Sequence, residues 1–169
     1  SSACAYNKSK QQEVFIGGLK ETDAYPADPE DGYGWEKLFS ERMCRHFMED
    51  YGIEVRIARY HNVYGPFGTY DGGREKAPAA LCRKVISAKN TEGNQIEVWG
   101  DGKQTRTFLF IDDCIEGTLR LFESNYSEPM NIGSDEQVSI NQMIDIIEDI
   151  SGIQKLERIY KLDKPKGVR

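Results

Sequence analysis

The chain has 169 residues, 38% of them hydrophobic and 30% charged, which suits one folded domain and is too apolar for a disordered segment. Its 22 basic and 28 acidic residues give a net charge of −6, and no lysine or arginine stripe is present to track a phosphate backbone. No apolar run approaches the roughly 18–20 residues that a membrane span needs, so neither nucleic-acid nor membrane partners are expected.

Four cysteines stand at positions 4, 44, 82 and 114, with no CxxC pair, and His46 and His61 are the only histidines. That spacing makes neither a structural zinc site nor a secreted disulfide framework, so no metal and a reducing, cytoplasmic setting are expected. The chain opens at Ser1-Ser2-Ala3-Cys4 without methionine and stops at Gly167-Val168-Arg169, which reads as a segment cut from a longer protein.

The three- and four-residue spacing of Leu38, Phe39, Met43, Phe47, Met48 and Tyr51 predicts a helix over 33–51, ended by Gly52. Ile53 to Ile57 alternates as a strand. Residues 64–73, rich in Gly, Pro and Tyr, form a loop, and Ala77 to Ala88 a second helix with Pro78 in its first turn. A polar loop covers 89–94. Ile96 to Trp99 and Thr105 to Ile111 read as strands around a Gly100-Asp101-Gly102 turn, as in a hairpin.

Asp112 and Asp113 suit the positive end of a third helix running to Glu123. Pro129 to Ile132 is a brief strand. Ser139 and Gln142 make a capping box for a helix over 140–151, and a last strand is expected near 156–160. This alternation predicts the α/β class with a mainly parallel sheet. No GxGxxG turn occurs anywhere in the chain, and the glycines of 65–73 have neither that spacing nor a P-loop ending. Cys44, Cys82 and Cys114 fall within apolar helix patterns and are assigned to packing.

Tyr33 and Lys37 lie four residues apart, on one face of the predicted helix. An ammonium beside a phenol favours the phenolate, a usable general base. Ser1-Ser2-Ala3 stands upstream. Arg59-Tyr60-His61-Asn62-Val63-Tyr64-Gly65-Pro66 and Arg106-Thr107-Phe108-Leu109-Phe110-Ile111-Asp112-Asp113 follow. This set, in this order, resembles the extended short-chain dehydrogenase/reductase family of sugar-nucleotide enzymes.

The resemblance implies a Rossmann-like, mainly parallel sheet, partial here, with part of a smaller substrate-binding domain. Residues 1–66 would be the later part of the NAD-binding domain. Residues 67–169 would be mainly the substrate-binding portion, with segments returning to the sheet. It implies NAD as cofactor, held in this chain by Tyr33 and Lys37, a nucleotide-sugar substrate, and a homodimer in the full-length enzyme, for which residues 33–51 are a candidate element. The amino-terminal pyrophosphate turn would lie outside this chain, as would a substrate-holding arginine beyond Arg169.

Cys4 stands where many members of the family carry Thr or Ser. The segments 67–80, 99–106 and 131–136 are similar to a branch that epimerises a hexose at carbons 3 and 5 through a transient 4-ketone. On that resemblance Tyr33, Lys37, Cys4 and Lys76 are the catalytic residues, with Cys4 as base and Lys76 as acid. Ser2, Ala3, Cys4, Asn62, Glu75, Lys76, Ala77, Lys84, Gln104, Thr105 and Arg106 would contact substrate. Without the resemblance, Cys4 reads as a core thiol, Lys76 as a solvated loop lysine, and Arg106 as a partner of Asp112 or Asp113. A 4-epimerase, a 4,6-dehydratase and a non-catalytic nucleotide-sugar-binding protein are the competing readings.

Overall fold

A computed structural model describes residues 1–12, 18–89 and 94–164. The expected loop at 89–94 and the chain end at 167–169 fall largely or wholly outside them. The described elements are α1 (Lys8–Gln12), α2 (Gly32–Tyr51), β1 (Ala58–Tyr60), β2 (Val63–Tyr64), α3 (Ala77–Lys89), β3 (Gln95–Trp99), β4 (Thr105–Thr107), β5 (Leu109–Phe110), α4 (Ile111–Glu123), β6 (Met130–Ile132), β7 (Gln137–Ser139), α5 (Ile140–Ser151) and β8 (Glu157–Lys161). Short 3-10 turns lie at Ala3–Ala5 and Glu21–Ala24. Helices alternate with strands that include parallel pairs, so the fold is α/β. The chain divides into two compact units.

The first unit comprises Ser1–Val63 and Phe108–Asp135. β1 and β6 pair in parallel, Ala58 against Met130 and Tyr60 against Ile132, and Ser2 bridges Tyr60. The expected strand at 53–57 is displaced to 58–60, because a ladder forms only where a partner exists, and β6 is three residues long. The bond from Met130 N to Ile57 O, 2.9 Å, extends the pairing backwards.

Two clusters fill this unit. Ala5, Tyr6, Ala24 and Leu38 join the Ala3–Ala5 turn to α2, and Leu109, Cys114, Leu121 and Ile132 seat α4 on the strands. Asp31 caps α2 by accepting from Gly34 N at 2.8 Å, and Gly52, at φ 65°, ends it. The apolar residues of α2 are mostly not buried in this unit. Leu38 is buried, but Phe39, Met43, Phe47 and Tyr51 are exposed, with Trp35 beside them.

A buried polar network runs through the same unit. The Arg59 guanidinium grips the Glu41 carboxylate with two bonds, 2.9 and 2.6 Å, and donates to Glu21 O at 2.7 Å. It also lies over the Tyr6 ring, 4.9 Å from the centroid. Burial pulls the Arg59 pKa down, but the bonds to Glu41 and Tyr6 outweigh it, and the group is held above its ordinary value. Tyr6 Oη and His61 Nε2 both meet Asn131 Oδ1, at 2.5 and 2.9 Å, while Asn131 Nδ2 donates to Leu19 O. An amide oxygen only accepts, so His61 carries its proton on Nε2. Burial holds the His61 pKa below its usual value.

The second unit comprises Tyr64–Thr107 and Glu136–Arg169. β3 alternates cleanly, Ile96 and Val98 inward and Gln95, Glu97 and Trp99 outward. It pairs in parallel with β8, while β4 pairs antiparallel with β7. The expected hairpin is therefore not formed. Gly100-Asp101-Gly102 joins strands whose partners come from elsewhere in the chain. The single strand expected over 105–111 is broken at Phe108 into β4 and β5. α3 packs on α5, and Leu81, Val85 and Ala88 of the one and Met143 and Ile144 of the other are buried. The Ser139–Gln142 capping box forms as expected, with bonds of 2.9 and 3.1 Å.

Among the cysteines assigned to packing, Cys114 is buried, Cys44 half-buried and Cys82 exposed, so packing does not account for Cys82. No helix among the described residues is long and apolar enough to cross a membrane.

Candidate active site

Tyr33 and Lys37 occupy the first two turns of α2, on one face, as their spacing requires. Lys37 Nζ lies 4.9 Å from the centroid of the Tyr33 ring, and the ring is half exposed. The same ammonium bonds Glu36 Oε1 at 3.1 Å, and this bond is the main reason its pKa is raised. Lys37 is thus held protonated beside a tyrosine open to ligand.

Cys4 sits in the Ala3–Ala5 turn, half-buried. Ser2 Oγ accepts from Cys4 N at 3.2 Å, so Ser2 shapes this turn as an N-cap does. The turn is pressed against the start of α2. A Cβ built on Gly34 would lie 2.2 Å from the Cys4 carbonyl oxygen and 2.8 Å from Pro29 Cβ. Only glycine lets the two backbones approach so closely. The Cys4 backbone is therefore held against the start of α2, at the residue next to Tyr33.

Asn62 stands just after β1 with φ 40°, a left-handed conformation that asparagine tolerates better than most side chains, and its carbonyl accepts from Leu109 N at 3.3 Å. An open cavity of about 350 Å³ runs between α2, β1 and α4. Ser1, Lys37, Glu41 and Cys44 are on its wall, while Tyr33 and Cys4 are not.

The other predicted site residues lie in the second unit. Glu75, Lys76 and Ala77 span the entry to α3. Lys76 is exposed, and its carbonyl accepts from Ala80 N at 3.0 Å, the first bond of that helix. The Glu75 carboxyl pKa is lowered, first by backbone bonds at the loop and then by Arg83. Lys84 Nζ donates to Glu97 O at 3.1 Å and lies 5.7 Å from the Trp99 ring centroid. It is thus occupied by its own unit rather than simply extended toward a diphosphate.

Gln104 is buried. Its Nε2 donates to Trp99 O at 3.0 Å, and its Oε1 has no hydrogen-bond partner among the described residues. Thr105 and Arg106 follow on β4, opposite Ser139 and Val138. Gly102 fixes the run before them. A Cβ there would meet the Asn141 amide at 2.3 Å, and Asn141 N donates to Gly102 O at 3.0 Å.

Several pairings that build this site were not legible in the sequence. Glu41 and Arg59 are 18 positions apart, Glu75 and Arg83 eight, and no short-range pattern links either pair. Gly34 did carry a signal, because a glycine in the first turn of a long helix weakens it unless something needs the space.

The chain matches the family model described as "NAD dependent epimerase/dehydratase family" over residues 1–133. It is 54% identical to GDP-mannose 3,5-epimerase of Arabidopsis thaliana over all 169 residues, covering 43% of that protein. The structure of UDP-glucose 4-epimerase from Thermotoga maritima with UDP-glucose superposes with a TM-score of 0.79 at 28% identity, over 99% of this chain and 50% of that one. UDP-glucuronic acid 4-epimerase from Bacillus cereus, in complex with UDP-glucuronic acid and NAD, gives 0.72 at 32% identity, over 95% and 46%. The chain thus spans less than half the length of its curated relative. Its Rossmann-like α/β fold and the match over residues 1–133 agree, and the chain belongs to the NAD-dependent epimerase/dehydratase family.

Proposed function

We propose that this chain is the middle and later-middle portion of a GDP-mannose 3,5-epimerase, which converts GDP-mannose to GDP-L-galactose. The observation that supports the reading is the Gly34–Cys4 contact, which holds the Cys4 backbone against the start of α2, next to Tyr33 in sequence. A 4-epimerase needs no thiol there, because it exchanges no carbon-bound proton with water.

The chemistry requires a route to an unreactive C–H bond. Tyr33 takes the proton of the carbon 4 hydroxyl as that carbon becomes a ketone, and the protonated Lys37 stabilises the phenolate. NAD, when bound, would supply the hydride acceptor for that oxidation and the donor for the closing reduction. The exposed Tyr33 ring and the ammonium above it suit the reactive end of such a cofactor, and these are the two residues of this chain that would hold it. Beside the ketone, protons at carbons 3 and 5 are acidic enough for Cys4, in its ionised form, to remove. Lys76 delivers a proton to the opposite ring face and bonds the enolate oxygen.

Ser2, Ala3, Asn62, Glu75, Ala77, Lys84, Gln104, Thr105 and Arg106 hold the nucleotide sugar in this reading. The unpartnered Gln104 Oε1 awaits a donor, and Arg106 supplies charge toward the diphosphate. The exposed Trp35, Phe39, Met43, Phe47 and Tyr51 descend α2 one turn apart and form the face of a homodimer. The same reading places the protein in the cytoplasm and its product in ascorbate biosynthesis.

The test incubates the full-length protein with GDP-mannose in deuterated water and locates deuterium in the recovered sugar. Label at carbons 3 and 5 is expected; a product inverted at carbon 4 and free of label would make the protein a 4-epimerase. Cys4→Ala should keep carbon 4 oxidation and lose exchange by about 10²-fold or more. Tyr33→Phe should lose both.

A further inference from the structure

The loop before α3 is built to fix one position. Gly72 and Gly73 take φ values of 89° and 83°, so the chain doubles back there. That turn lets Glu75 Oε2 accept from Gly73 N at 2.7 Å. Arg83, two turns along α3, reaches back over the loop. Its Nε donates to Tyr70 O at 2.8 Å and its Nη2 to Glu75 Oε1 at 2.9 Å. The Asp71 carboxylate stands 3.8 Å from the same Nε. The Glu75 side chain is only 12% exposed, whereas Arg74 and Lys76 on either side are exposed.

One guanidinium thus spans both ends of the 70–75 loop, and Lys76 is the next residue. Its backbone is held on one side by the clamped Glu75 and on the other by the first hydrogen bond of α3. A fork with two fixed donors can do this, and a lysine ammonium, a point charge, cannot.

We propose that Arg83 is a positioning residue for Lys76, holding the loop so that the ammonium is fixed where it delivers its proton. The proposal rests on the proton-donor role given to Lys76 above. Displacing an aligned catalytic group by about 1 Å can cost roughly 10²-fold in rate. A loop freed at Tyr70 and Glu75 has room for such a shift.

The experiment uses the full-length protein with GDP-mannose in deuterated water. It compares wild type, Arg83→Ala, Arg83→Lys and Lys76→Met. Deuterium incorporation at carbons 3 and 5 is followed beside the absorbance of reduced cofactor formed on mixing, and amide hydrogen exchange of residues 70–76 is read in the free protein.

Arg83→Ala is expected to slow incorporation by about 10- to 100-fold, leave cofactor reduction within about threefold, and speed amide exchange in the loop at least tenfold. Arg83→Lys, keeping one bond of two, should fall between. It also serves as the readable variant should Arg83→Ala unfold. Wild-type incorporation in Arg83→Ala or Arg83→Lys, an equal fall in incorporation and cofactor reduction, or an unchanged loop each overturn the proposal. Normal incorporation in Lys76→Met would instead defeat the role given to Lys76, and this proposal with it.

Discussion

Gly34→Ala tests the contact on which the site is built. In an exposed helix, alanine is more favourable than glycine by about 1 kcal/mol. Here the added methyl would sit 2.2 Å from the Cys4 carbonyl oxygen, against a floor of 3.0 Å for real Cβ contacts, so something must move by at least 0.8 Å. Neither side yields easily. The Ala3–Ala5 turn is tied by Ala5 N to Ser2 O at 3.1 Å and Tyr6 N to Ala3 O at 3.2 Å, and it leads into the fully buried Tyr6. The helix start is tied by Gly34 N to Asp31 at 2.8 Å.

Overpacking of this kind costs roughly 1–3 kcal/mol, enough to reverse the helix-propensity gain. A displacement near 1 Å between Cys4 and the Tyr33–Lys37 pair should lower turnover by roughly 10²-fold. At Gly32, two residues earlier, an added Cβ would meet nothing within 4 Å, so Gly32→Ala is the control and should be silent. Urea unfolding and deuterium incorporation on the full-length protein read both effects. A Gly34→Ala protein more stable than wild type by about 1 kcal/mol, and as active, would refute the argument.

Glu41→Ala leaves the Arg59 guanidinium buried without its carboxylate, side chains that are now 2% and 5% exposed, and should destabilise by about 3–5 kcal/mol in urea melts. Because burial holds His61 below its usual 6.5, the unfolded chain takes up that proton first as pH falls. Stability should therefore drop from about pH 6.5 down to the lowered native value and level off below it, where both states are protonated. His61→Gln, which can still donate to Asn131, should remove that part of the decline in urea midpoints measured across the range. Arg106→Ala should weaken nucleotide-sugar binding by roughly 10- to 150-fold in calorimetry while changing the chemical step less, as loss of a charge-assisted contact does.

What could be read from the sequence was local, and what could not be read was a matter of partners. The capping box of α5 involves residues three apart, and the structure places it where the sequence did. The Tyr33–Lys37 pair is legible for the same reason, since helix geometry alone puts positions four apart on one face. The Gly100-Asp101-Gly102 turn looked like a hairpin because turn residues stood between two strands, but β3 finds β8 and β4 finds β7, both far along the chain. Periodicity on α2 announced an apolar face without saying what covers it, and among the described residues nothing covers most of it.

The site divides along the same line. The residues that would touch substrate are short motifs, whereas the groups that hold them reach across the fold: Arg59 to Glu41, Arg83 to Tyr70 and Glu75, Gly34 to the Cys4 carbonyl. A relative could therefore keep Tyr33, Lys37, Cys4 and Lys76 and still fail if those supports were lost. Gly34→Ala and Arg83→Ala ask that question from opposite sides, one at the proposed base and one at the proposed acid. If both reduce proton exchange while the four motif residues stay intact, the supporting contacts, and not the motif alone, set the chemistry.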